Sequence, residues 1–125
     1  MILRELFEDF RGKISLLEGD MTHPEVTIFK TFSGFARGGC IHALHDEYSC
    51  VIEGCVEYCI GDKKIRLETG ESVVIPQNTP HYYISITDSI VLEWGATPEE
   101  KQEKHVEYRK VVDKINKEQM VHAGE

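Results

Sequence analysis

The sequence predicts an all-β domain with a single α-helix near its C-terminal end. Eight or nine short apolar runs lie between about residues 13 and 96, separated by turn-forming glycine, proline, asparagine and aspartate, and none of them has a helical period. From about residue 98 the pattern changes to a thin apolar stripe among lysine and glutamate residues. Short strands separated by turns are typical of an antiparallel sandwich or barrel, with the barrel at about 13–96.

Length, charge and cysteine content narrow the class of protein. A chain of 125 residues is long enough for one core, so we expect one domain over residues 1–125. A formal net charge of -8 argues against a nucleic-acid or anionic-membrane surface. Because the chain has no long apolar run, no signal-peptide pattern and no C-x-x-C pair, we expect a cytoplasmic protein with four free thiols.

The first half of the chain contains four predicted elements. Residues 1–12 carry an apolar-periodic piece that fits one or two helical turns or a strand across a barrel mouth, and residues 14–17 fit a first strand. Residues 26–32 alternate between two faces, as a half-buried strand does. After glycines that permit a bend, residues 40–44 fit the next strand.

The second half continues the same pattern and then changes to a helix. A strand at 48–52 is followed by a hairpin around Gly61-Asp62, a strand at 72–75, a proline-flanked loop and two strands between 81 and 94. Thr97 is a capping residue, Pro98 suits the first helical position and Glu100 completes a capping box. These signals predict a helix over about 98–118.

Two glycine-containing motifs carry the ligand-type side chains. The first places Gly34, Cys40, His42, Glu47 and Gly54 at fixed spacings. The second begins at Gly70, continues with Pro76 six positions later and ends with His81 after five more.

These spacings resemble the two motifs of the cupin family, and the closest resemblance is to small single-domain cupins of the conserved-barrel type. The resemblance implies a double-stranded β-helix, the jelly-roll barrel. Three positions differ from the motifs, since Cys40 stands for the first histidine, Asn78 for an inner glycine and Ser85 for the final asparagine. His45 is an additional histidine.

Strand periodicity and the resemblance together predict a metal site. Residues of like parity share a face, so Cys40 would point with His42, Glu47 with Ser49, and His81 with Tyr83. If the bends bring these sets together, two imidazoles and one carboxylate suit Fe(II), Mn(II), Ni(II) or Zn(II). The resemblance implies that His42, Glu47 and His81 are ligands.

Cys40, His45 and Tyr83 have further possible roles. Cys40 occupies the position of a fourth ligand, where a thiolate would favour Zn(II), or it is a bystander. His45 could replace the missing ligand or act as a base, and Tyr83 could act as a general acid or fill the barrel. A metal-bound site, a metal-free site with the same residues and a vestigial barrel all remain open.

Three functions are compatible with this pattern. Asp9-x-Arg11-Gly12 and Arg37-Gly38 also resemble cupins that isomerise or epimerise sugar nucleotides, which implies an isomerase or epimerase of a carbohydrate or keto-sugar-like small molecule. One alternative is a metal-dependent oxygenase or lyase of a small organic acid. If Cys40 were a metal ligand, oxygen chemistry would be disfavoured, because a thiolate next to activated oxygen is easily oxidised. Another alternative is a non-catalytic barrel that senses a small ligand. The resemblance also leads us to expect a homodimer.

Overall fold

The structure is a computed structural model that describes residues 2–18, 25–97 and 103–123. Ten strands and one helix occur in these segments, listed in chain order: β1 Ile2–Asp9, β2 Gly12–Glu18, β3 Val26–Thr31, β4 Ala36–Cys40, β5 Glu47–Glu53, β6 Cys55–Ile60, β7 Lys63–Glu68, β8 Ser72–Ile75, β9 His81–Ser85, β10 Ser89–Trp94 and α1 Val106–Ala123. The predicted all-β fold with a C-terminal helix is confirmed.

The strands form two antiparallel sheets. One sheet has six strands in the order β1-β2-β3-β10-β5-β8, and the other has four in the order β4-β9-β6-β7. Inward side chains of both sheets form the apolar core, which is listed here: Val51, Val56, Tyr58, Ile60, Leu67, Ile75, Tyr83 and Val91. The crossovers between strands distant in sequence give the jelly-roll architecture that the motifs predicted.

Residues 2–9 form a strand and have no helical turn. β1 pairs with β2 along its length, from Ile2 opposite Glu18 to Asp9 opposite Gly12. At the hairpin, the carboxylate of Asp9 accepts hydrogen bonds from the backbone N–H and the Nε–H of Arg11, at 2.9 and 3.0 Å. The Asp9-x-Arg11 sequence therefore makes a tight, charged turn.

The strand predicted at residues 40–44 lies earlier in the chain. β4 covers Ala36–Cys40, and residues 41–46 are not in a strand. Gly38 and Gly39 have φ of 104° and 81°, and the β4–β9 register shifts between Gly38 and Cys40. Glycine tolerates these angles, so a bulge forms inside the strand where we had expected the glycines to precede it.

The C-terminal helix begins later than the sequence predicted. The capping signals at Pro98 and Glu100 lie outside the described residues, and residues 103–105 pair with β4 instead of continuing a helix. Lys104 forms a β-bridge with Cys40, and the His105 N–H donates to the Gly39 carbonyl at 2.8 Å. The His105 Nδ1 then accepts the N–H of Tyr108 at 3.3 Å, which caps α1.

Helix α1 lies along the outer edge of β4. The Asn116 side chain accepts the Ala36 N–H at 2.7 Å and donates to the Ala36 carbonyl at 3.1 Å. Arg109 Nη1 donates to the Gly38 carbonyl at 2.9 Å. Side chains of the helix thus take the place of a neighbouring strand. Within the described segments, no helix is sufficiently long and apolar to span a membrane.

Candidate metal centre

Glu47 is the first residue of β5 and faces the interior. Along this strand Glu47, Ser49 and Val51 are buried and alternate with more exposed residues. The Glu47 side chain is only 1% exposed. The period of two that predicted an inward Glu47 is therefore confirmed.

His81 is the first residue of β9, and a hydrogen bond orients its ring. His81, Tyr83 and Ser85 are all buried on the inner face, as predicted. His81 Nδ1 lies 3.0 Å from the carbonyl oxygen of Thr79. Because a carbonyl can only accept, Nδ1 donates this hydrogen bond, and Nε2 is the ring nitrogen available to a ligand.

His42 lies in the segment after β4 and is held there by the loop before β9. Its carbonyl accepts the N–H of Asn78 at 2.6 Å, and the neighbouring Gln77 N–H donates to Asp46 at 2.8 Å. Asn78 has a φ of 61°, which is in the left-handed region. Glycine adopts this conformation most readily, and asparagine is one of the few other residues that tolerate it. This angle explains how asparagine occupies a motif position that resembles an inner glycine.

His42, Glu47 and His81 form one buried cluster. Glu47 Oε1 lies 3.5 Å from His42 Nε2 and 3.6 Å from His81 Nε2. One ligand atom from each residue lies within 4.8 Å of the others. The two imidazole rings are 4.8 Å apart between centroids.

The cluster fits a divalent transition metal. Two imidazoles and a carboxylate are donors that Zn(II), Fe(II), Mn(II) and Ni(II) accept. Zinc binds nitrogen and oxygen ligands at about 2.0–2.1 Å. In a tetrahedral site, two ligand atoms of the same ion would then lie about 3.4 Å from each other. The separations between the carboxylate and the two nitrogens are close to that value and longer than ordinary hydrogen bonds.

The other three predicted site residues, Cys40, His45 and Tyr83, lie outside this cluster. Cys40 lies opposite His81 in the β4–β9 register and lines the same cavity, but it is not part of the three-residue cluster. Tyr83 is buried and also lines the cavity. His45 is exposed and lines a different surface depression with Leu44 and Asp46, so the geometry gives no support for His45 as the base.

The cluster opens into a cavity of about 180 Å³ whose lining includes several charged side chains. The charged side chains that line it, besides the cluster, are Arg11, Arg37, Glu93 and Arg109. Glu93 was not predicted as a site residue. It shares the inward parity of Ser89 and Val91 on β10, and an acidic residue at that parity was the signal that could have identified it.

Two hydrogen-bonded chains cross the inner wall. The Tyr58 hydroxyl donates to Glu93 Oε2 at 2.8 Å and lies 2.6 Å from the Ser49 hydroxyl. The Tyr83 hydroxyl lies 3.0 Å from the Thr31 hydroxyl. Burial, followed by the charge of Glu93, raises the pKa of both Tyr58 and Tyr83 well above the ordinary value, so both phenols stay protonated near neutral pH.

Comparisons with known proteins agree with this architecture. Residues 39–96 match the family model described as the cupin domain, and this segment contains His42, Glu47 and His81. No curated protein matches the sequence significantly.

Several solved structures share the fold. KdgF from Halomonas sp. is 20% identical with a TM-score of 0.65, over 74% of this chain and 84% of that chain. The capsular polysaccharide assembling protein CapF from Staphylococcus aureus is 19% identical with a TM-score of 0.65, over 78% of this chain but 29% of its own. An HTH_3 family transcriptional regulator from Vibrio cholerae is 23% identical with a TM-score of 0.60, over 69% and 51%.

Identities at this level establish a common fold only, because one fold supports many activities. The family match covers the segment that carries the three clustered side chains, and the two-sheet barrel is shared over most of the chain. Residues 39–96 therefore match the cupin domain model, and the described residues share the fold of these solved structures.

Proposed function

We propose that this cupin binds a divalent metal ion through His42, Glu47 and His81 and isomerises or epimerises a small carbohydrate or keto-sugar-like molecule. The observation that carries the proposal is the burial of these three side chains together on the wall of one cavity. A likeness of fold to CapF, a capsular polysaccharide assembling protein, agrees with a sugar-related substrate.

The size of the cavity favours a small substrate. Its volume of about 180 Å³ is below the roughly 300–1,000 Å³ of pockets for drug-sized ligands. A free sugar or a short-chain derivative fits this volume better than a nucleotide-linked sugar. The proposed substrate is therefore a small molecule without a nucleotide.

The residues around the cluster suit proton transfer next to a carbonyl group. A bound divalent metal would act as a Lewis acid that polarises a carbonyl oxygen. We assign to Glu93, which lines the cavity and accepts a hydrogen bond from the Tyr58 hydroxyl, the role of taking the proton from the adjacent carbon and returning it. Since Arg37 Nε–H donates to Thr31 Oγ1, the Thr31 hydroxyl can donate to Tyr83, whose own hydrogen can then reach the substrate oxygen.

A second candidate is a metal-dependent oxygenase or lyase of a small organic acid. Two histidines and one carboxylate are also the ligand set of non-haem Fe(II) oxygenases. The position of Cys40 outside the cluster favours this candidate more than the sequence did, because a thiolate bound to the metal would have been oxidised.

Metal analysis is the first test. Protein purified without chelators should contain close to one equivalent of a divalent metal per chain, measured by inductively coupled plasma mass spectrometry. His81→Ala should lose it, because the cluster then has only two ligands, whereas His45→Ala should keep it. A wild-type protein without metal, or a His81→Ala variant that retains it, would contradict the metal site.

Hydrogen exchange from solvent tests the reaction. In D2O, the wild-type enzyme should incorporate deuterium next to the carbonyl of a small keto-sugar substrate, detected by proton NMR. Glu93→Gln should abolish incorporation but keep the metal, since Glu93 is outside the cluster. A metal-loaded protein that exchanges none of a panel of keto-sugars would contradict the isomerase and favour the oxygenase or a binding barrel.

A further inference from the structure

Arg37 is a buried cation on the cavity wall, and no anion of the described residues is in contact with it. Its side chain is 2% exposed, and its Nε–H and Nη2–H groups donate to Thr31 Oγ1 and the Lys30 carbonyl at 3.1 and 3.3 Å. Both acceptors are neutral. Nη1 is buried and has no hydrogen-bond partner among the described residues.

Within the part of the chain that the structure describes, the charge of Arg37 is likewise not balanced at short range. No carboxylate of the described residues forms an ion pair with Arg37, and Asp9, whose charge acts on it from farther away, is paired with Arg11 at 3.0 Å. Burial is the main cause that lowers the pKa of Arg37, and the positive charge of Arg11 lowers it further. A buried, charged group that keeps an open donor is costly unless an anion completes it.

From this geometry we infer that Arg37 forms a carboxylate-binding subsite, so that the ligand of this cavity is a small acid. This inference rests on the proposed function, because it names the class of substrate for the proposed enzyme. That class is a sugar acid or a short hydroxy or keto acid. A guanidinium N–H donates a charge-assisted hydrogen bond to a carboxylate oxygen, and here the open Nη1 supplies that donor.

The subsite lies one strand repeat from the metal cluster. Arg37 is opposite Tyr83 in the β4–β9 register, and Tyr83 is two residues after His81 on the same face of β9. Two residues along a strand span about 6.8 Å. A short carbon chain can therefore place its carboxylate at Arg37 and a hydroxyl or carbonyl oxygen at the His42, Glu47 and His81 cluster.

The test measures carboxylate binding at Arg37 directly. Acetate is titrated into the protein at constant ionic strength, with acetamide as the neutral counterpart, and the arginine Nε–Hε resonances are followed by proton–nitrogen NMR. The Arg37 resonance, identified by its loss in Arg37→Lys, should shift with acetate and not with acetamide. The resonance of Arg66, an exposed residue on β7, should not shift.

Variants extend the test to affinity. Arg37→Met should weaken acetate binding at least about tenfold, the loss expected for charge-assisted hydrogen bonds, and Arg66→Met should leave it unchanged. Arg37→Lys keeps the charge without the planar fork and should bind with intermediate affinity. Because the comparison of acetate with acetamide uses the unaltered protein, it decides the question even if Arg37→Met fails to fold.

The outcomes separate this subsite from the metal site. The titration is run on protein dialysed against chelator and again on zinc-loaded protein. An Arg37 shift without metal supports the subsite whatever the metal analysis gives. If acetate leaves Arg37 unshifted in both forms, or shifts it no more than acetamide does, the subsite is wrong, and a metal-loaded wild type would leave the proposed metal site standing.

Discussion

Cys40 lies on the cavity wall beside the cluster of His42, Glu47 and His81, and its role can be tested separately from theirs. The bulge at Gly38 and Gly39 places Cys40 opposite His81, on the cavity wall, but the cluster consists of His42, Glu47 and His81. A wall thiol of this kind would affect the shape of the cavity more than the affinity for metal.

We therefore expect Cys40→Ala to keep its full metal content, because three ligands remain. The measurement is the metal content of the purified variant, together with the absorption spectrum of the cobalt-substituted wild type. That spectrum should lack thiolate-to-cobalt charge transfer. Metal loss in Cys40→Ala, or a thiolate band in the cobalt protein, would instead make Cys40 a fourth ligand, as its motif position suggested.

Residues on regular strands were predictable, and residues placed by irregular backbone were not. The inward orientation of Glu47 and His81 follows from a period of two. His42 lies outside any strand, so only the motif could identify it. The buried position of Arg37 depends on how β4 runs into its bulge, and no period in the sequence predicts a bulge.

At the scale of the element, the contact between β4 and α1 depends on a glycine. A Cβ atom at Gly39 would lie 2.8 Å from the Arg109 Cα and 2.9 Å from its backbone nitrogen. Backbone atoms of a helix cannot move aside alone, so the whole helix would have to shift. Gly70 has a similar positive φ of 87°, but nothing lies within 4 Å of a Cβ there.

These two glycines form a matched pair of substitutions. Gly70→Ala should cost about 1 kcal/mol of unfolding free energy for the left-handed backbone alone. Gly39→Ala should cost about 1–3 kcal/mol more, because it adds a clash in a packed contact. Urea unfolding of both variants measures the difference, and equal losses would show that α1 does not rest tightly on β4.

The elements that sequence predicted best are those with local causes. The Gly61-Asp62 hairpin and the strands on each side of it follow from turn chemistry and alternation, and β6 and β7 occur there. The start of α1 follows from a contact distant in sequence. Because Lys104 and His105 pair with β4, residues 103–105 are not helical and α1 begins at residue 106.

At the scale of the whole molecule, the buried phenols predict how stability depends on pH. The pKa of Tyr58 and Tyr83 is raised in the folded protein, mainly by burial. Their contribution to stability is therefore complete below about pH 10, the pKa of an unfolded tyrosine, and is lost as the pH rises above it.

Urea unfolding between pH 8 and pH 11 should give a free energy that falls above about pH 10, by up to about 1.4 kcal/mol per pH unit for each buried phenol. Tyr58→Phe should make this fall less steep, although it lowers the overall stability by removing a partner of Glu93. Tyr48→Phe, which changes an exposed tyrosine, should leave the slope unchanged. Equal slopes in the two variants would contradict the assignment.

The homodimer expected from the family resemblance stays a prediction. The outer strands of the six-stranded sheet are β1 and β8, and those of the four-stranded sheet are β4 and β7. β1 carries the half-exposed apolar side chains Leu6 and Phe7, which makes it the edge best suited to meet a second copy.

The amide of Asn116 has a consequence for how these molecules meet at high concentration. It occupies both hydrogen-bonding groups of Ala36, while Arg109 takes the carbonyl of Gly38. An extended segment from a neighbouring molecule would find no vacant donor or acceptor on Ala36 and could not lengthen the sheet there. The helix thus protects this border against fibril-like stacking, and removing it would open a template for aggregation.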